Sequence, residues 1–113
     1  MTSPSAYAHA ILTNSFPVQK SLVTAMPSKV WLEFDGNLTQ IPGKQINFLD
    51  LTDSSGKAIP VQRVYAGGAR ITADVGTVKT VGRIKVSWRV VSEDGHPVSG
   101  SIYFTISPKK MGQ

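Results

Sequence analysis

The chain has 113 residues, enough for one domain that builds its own hydrophobic core without a metal or disulfide as an obligatory staple. It contains no cysteine, which excludes disulfides, thiolate metal sites and thiol nucleophiles and leaves the redox compartment open. Twelve Lys and Arg against seven Asp and Glu give a net charge of +5, yet the basic residues are scattered along the sequence, which argues against a nucleic-acid or membrane footprint, and no apolar run reaches the roughly 18 residues that span a bilayer.

Residues 1–8 end in Ala6-Tyr7-Ala8, which reads as an A-x-A cleavage site. The stretch before it has neither a basic nor an apolar signal region, so 1–8 is expected to be a leader or the remnant of a signal peptide. Strand patterns follow. The first candidate is 10–14, and the second holds Val30, Leu32 and Phe34 on one pleated face with Trp31 and Glu33 on the other. Met26, before Pro27, reads as a packing residue at that strand's entrance. Further strands are expected at 45–51, 59–65, 69–74, 83–91 and 101–106, parted by Pro42-Gly43, Ser54-Ser55-Gly56, Gly67-Gly68 and Asp94-Gly95.

Within 83–91, Ile84, Val86, Trp88 and Val90 share a face, and Ile102, Phe104 and Ile106 alternate in the same way. Seven strands and no amphipathic helix point to an all-β fold: an antiparallel Greek-key sandwich or barrel, immunoglobulin-like or cupredoxin-like. Its expected core contains Val30, Leu32, Phe34, Ile84, Val86, Trp88, Ile102 and Phe104. Residues 109–113 form a polar tail.

The turn between the last two strands carries chemistry. Asp94 and His96 set a carboxylate and an imidazole on either side of Gly95, which is free to take positive φ, and Pro97 fixes the exit. Such a stiff corner suits a preorganised metal site. Asp94 would either touch the metal or fix the tautomer of His96 from behind, and Glu93 is a reserve carboxylate if Asp94 is turned to cap the loop. His9 and His96 are the only imidazoles. In a sandwich the first strand commonly returns beside a late one, which would bring His9 to the same corner.

The run from Trp88 through Ser92, Asp94-Gly95-His96-Pro97 and Gly100 resembles the signature of the CopC family of extracytoplasmic copper-binding proteins. His9-Ala10-Ile11-Leu12, Ser15-Phe16-Pro17 and the stretch 27–34 are similar to other parts of the same pattern, which covers nearly all of 9–108. The resemblance implies a copper-binding domain over 9–108 with a Cu(II) site made by His9, Asp94 and His96. It further implies a monomer that is not an enzyme and that acts in the periplasm or another extracytoplasmic space after cleavage before His9. There it would sequester copper, confer resistance or deliver the ion to a membrane copper transporter. His9 adds an α-amine ligand only in a form that begins at that residue.

Imidazole nitrogen, carboxylate oxygen and an amine favour tetragonal Cu(II), with zinc a weaker competitor. Cu(I) needs soft ligands, and with Met1, Met26 and Met111 as the only methionines the methionine-rich Cu(I) site of some family members is expected to be absent. No G-x-S-x-G elbow, P-loop or G-x-G-x-x-G is present. The aromatic residues fall in alternating strand patterns, so no nucleic-acid partner is expected. Two alternatives stand beside copper carriage. One is a histidine-brace copper monooxygenase, disfavoured by a chain too short for a broad polymer-binding face. The other is a metal-free structural sandwich module.

Overall fold

Side chains that alternate in and out along most of the longer strands give two sheets sharing one apolar core cluster. The structure, a computed structural model, describes residues 10–108. The strands are β1 (Leu12–Phe16), β2 (Leu22–Val23), β3 (Lys29–Phe34), β4 (Phe48–Thr52), β5 (Ala58–Ile59), β6 (Arg63–Gly67), β7 (Arg70–Asp74), β8 (Gly82–Val91) and β9 (Pro97–Ile106). One sheet runs β1-β3-β7-β6 and the other β2-β9-β8-β4-β5, with no helix among the described residues. The connections from β3 to β4, β5 to β6 and β7 to β8 each cross from one sheet to the other.

The all-β sandwich matches the sequence reading, with nine strands in place of seven. The expected strand 59–65 divides: Pro60 cannot donate to a ladder, β5 ends at Ile59, and β6 starts at Arg63 in the opposite sheet. The short β2 pairs in parallel with β9, Leu22 opposite Thr105, so the five-stranded sheet is mixed. The first strand also pairs with β3 and not with a late strand, Leu12 lying opposite Phe34.

Val30, Leu32 and Phe34 from one sheet meet Leu49, Leu51, Ile84, Val86, Val90, Ile102, Phe104 and Ile106 from the other, all buried. Each such side chain contributes about 1.5–3 kcal/mol when fully removed from water. Trp88 is the exception among the expected core residues: it is half-buried, packed against the cluster with its ring edge-on to Phe34 at 6.0 Å. Met26 packs against the core as expected.

The β8–β9 hairpin pairs in unbroken register from Gly82 opposite Ile106 to Val91 opposite Pro97, which makes it a rigid arm for the turn at its end. The leader 1–8, His9 and the tail 109–113 lie outside the described residues.

Candidate metal centre

The turn follows Val91, the last residue of β8. Ser92 N–H donates to the His96 carbonyl at 2.9 Å, and Gly95 N–H donates back to the Ser92 carbonyl at 2.9 Å. Gly95 has φ 88°, a conformation that a Cβ would strain. Asp94 and His96 therefore project from a closed, hydrogen-bonded corner, as the Asp-Gly-His-Pro run implies.

Ser92 is buried, and its hydroxyl lies between the Asp94 carboxylate, to which it donates, and the His96 carbonyl at 3.2 Å. Oδ1 of Asp94 also accepts the His96 N–H at 3.3 Å, while Oδ2 stands 2.9 Å from Nδ1 of the imidazole. One carboxylate thus caps the loop with one oxygen and orients the histidine with the other. The Ser92 hydroxyl, then the contact with His96, hold the Asp94 carboxyl well below the usual carboxylate range. An ionised Asp94 facing Nδ1 favours the Nδ1–H tautomer, which puts the ring's lone pair on Nε2, one of the two nitrogens through which an imidazole can hold a metal. The His96 side chain is 68% exposed, so an ion can reach it.

Two residues that sequence reasoning missed lash this corner to the sandwich. Thr39 bonds to it twice, its N–H donating to the Val91 carbonyl at 2.9 Å and its hydroxyl to the Ser92 carbonyl at 2.7 Å. The buried Asn47 takes the place of a strand neighbour: Oδ1 accepts the Val91 N–H at 2.8 Å and Nδ2 donates to the Thr39 carbonyl at 2.9 Å. The available signal was an asparagine at the head of an apolar strand, since a buried amide there must be satisfied by specific partners.

The reserve carboxylate, Glu93, lies over Gly36, where an added Cβ would sit 3.5 Å from its Oε1. His9 is outside the described residues. Ala10 is buried, and Ile11 is pinned to Asp35 by its N–H to Oδ1 at 3.0 Å and by Asp35 N–H to its carbonyl at 2.9 Å. The start of the described chain is therefore tied to Asp35, the residue before Gly36. Among the described residues no group of three or more His, Asp or Glu is placed to hold a metal; the corner brings together Asp94 and His96.

Residues 12–107 match the CopC domain family. Copper resistance protein C of Pseudomonas syringae pv. tomato is 34% identical over 110 residues, spanning 94% of this chain and 86% of the relative. The crystal structure of CopC from Methylosinus trichosporium OB3b superposes with a TM-score of 0.77 at 31% identity, covering 90% of this chain and 97% of that one. PcoC of Escherichia coli, a methionine rich copper resistance protein, gives a TM-score of 0.71 at 32% identity, covering 88% of this chain and 100% of that one.

Proposed function

This chain belongs to the CopC domain family, and from that premise we propose that it binds Cu(II) at the β8–β9 corner and holds the ion for sequestration or delivery in the cell envelope. His96 and Asp94 form the described part of the site, and His9 supplies the third side chain. The observation that carries this reading is the 2.9 Å contact between Asp94 Oδ2 and His96 Nδ1, which leaves Nε2 as the coordinating nitrogen.

The donor set fits the ion. Imidazole nitrogen and carboxylate oxygen suit Cu(II), which heads the affinity order of the divalent first-row metals. A soft Cu(I) site is unsupported among the described residues: there is no thiolate, and Met26, the one methionine among them, is packed against the core. The bound ion is cargo, taken up and released by a monomer that does no chemistry on it, and a membrane copper transporter is its recipient. Action in the periplasm or another extracytoplasmic space accords with the cleavage-like Ala6-Tyr7-Ala8.

Cu(II) titration of the parent, His96→Ala and Asp94→Asn tests the site. Asp94→Asn is expected to weaken binding by about tenfold, equivalent to about 1.4 kcal/mol, and His96→Ala by more, with circular dichroism unchanged in both. If both variants titrate like the parent, copper binds elsewhere.

A further inference from the structure

The basic residues are dispersed in sequence, but three of them share one face of a sheet. β8 turns Ile84, Val86 and Val90 inward, so the same alternation sends Arg83, Lys85 and Arg89 to the outer face of the five-stranded sheet, all exposed. Among the described residues none of the three has a carboxylate within ion-pair distance, unlike Lys29, Arg63 and Arg70 on the other sheet, which pair with Asp74 or Glu33. The register surrounds the row with hydroxyls and rings: Thr105, Tyr103, Ser101 and Ser99 on β9, and Phe48 and Thr52 on β4. Arg83 lies 4.3 Å over the Tyr103 ring, a cation–π contact that keeps its guanidinium on this face.

From this geometry we infer that the outer face of β8 and β9 is the docking surface for an acidic, extended segment of the protein that exchanges copper with this one. The inference rests on the reading of the corner as a copper site. Side chains two apart on one strand face are about 7 Å apart, the same repeat an extended partner chain presents, so alternate carboxylates match Arg83 and Lys85 in register. Arginine supplies a planar fork suited to carboxylates, and tyrosine and arginine are the residues interfaces concentrate. Arg89 is two residues from the end of β8, so a segment lying along the row would end about 7 Å from the turn that carries Asp94 and His96.

Asp50 decides between classes of anion. It sits opposite Ser87, in the gap between Lys85 and Arg89, and is exposed. A lipid headgroup layer or a phosphodiester chain is negative throughout and meets repulsion there. A polypeptide can place a neutral or basic residue opposite it.

The probe is a decapeptide alternating Glu with Thr, titrated against the full chain at low and physiological salt. The parent should bind it, with affinity falling as salt rises. The Arg83→Gln/Lys85→Gln/Arg89→Gln variant should lose at least tenfold, and Asp50→Asn should bind about twofold to threefold tighter. A Lys44→Gln/Lys57→Gln/Lys79→Gln variant carries the same charge change on other segments and should bind like the parent. Equal losses in the two triple variants, no binding by the parent, or preference for phosphatidylglycerol vesicles over the peptide would each overturn the inference. Cu(II) titration of the parent beside the β8 triple variant separates the two claims. Unchanged copper binding with no peptide binding by the parent would sink the docking face alone, whereas a parent that takes up no copper would sink the site on which it rests.

Discussion

Asp94 divides its oxygens between the loop and the imidazole, and its ionisation is governed chiefly by a hydroxyl that the sequence does not advertise. Its folded pKa is lowered, so the ionised form's contribution is complete above the ordinary aspartate value of about 3.9 and disappears as pH falls through the lowered folded value. Copper affinity near neutral pH therefore does not depend on titrating Asp94; its pH dependence there comes from nitrogen ligands that must shed protons. Ser92→Ala removes the largest cause of the shift. The Asp94 carboxyl is expected to titrate closer to the ordinary range, read by carboxyl-carbon NMR, and copper binding should fail at a higher pH on the acid side than in the parent. An unmoved titration would show that the hydroxyl is not what holds the carboxylate. At this scale Asp94 and His96 were legible because the turn chemistry that joins them is contiguous. Ser92 was visible only as a neighbour, Asn47 only as an asparagine at the head of an apolar strand with no sign of its partners, and Thr39 not at all, since Thr39 and Asn47 reach the corner across 53 and 44 positions of sequence.

The elements the sequence made plain are those long enough to show a period. Val30, Leu32 and Phe34, or Ile84, Val86 and Val90, alternate over enough positions to declare a strand and its buried face. β2 and β5, two residues each, carry no period, and each gains its strand character from the longer neighbour it pairs with. Trp88 obeys the alternation yet stays half-buried, because its large ring reaches across the hairpin to Gly100, its partner in the register. A Cβ on Gly100 would come within 2.5 Å of the ring's Cζ2 and 2.9 Å of Cε2, closer than packed atoms tolerate. The indole Nε1 is buried without a hydrogen-bond partner among the described residues, so the ring is held by packing alone. Gly100→Ala should therefore push Trp88 aside and destabilise the domain by about 1–3 kcal/mol, seen as a lower urea midpoint together with altered tryptophan fluorescence. If stability and emission both match the parent, the indole does not occupy that seat in solution.

Across the whole molecule, the core cluster is apolar and the exposed imidazole of His96 stands outside it, so folding and copper binding are expected to be separable. The copper-free domain should unfold as a stable β-protein. Copper should then add stability only by mass action, about 2.7 kcal/mol when free ion exceeds the dissociation constant a hundredfold. The sharpest use of this separability concerns His9. Ala10 is buried and Ile11 is tied to Asp35 in both directions, so a form trimmed to begin at His9 keeps these anchors of the first strand and is expected to stay folded, with a copper-free melting temperature close to that of the full chain. Trimming nevertheless frees an α-amine next to the His9 imidazole, and the two nitrogens can chelate one ion alongside His96. The trimmed form should bind Cu(II) more tightly, release more protons on binding at a pH where the amine is protonated, and gain more in melting temperature at the same free copper. Isothermal titration of both forms in one buffer, against a competing chelator where binding is too tight to read directly, gives the comparison. A trimmed form that melts lower without copper would show that residues before His9 belong to the folded domain. Equal copper affinity with equal melting temperatures would show that the amine is not a ligand, and that the corner works with the side chains of His9, Asp94 and His96 alone.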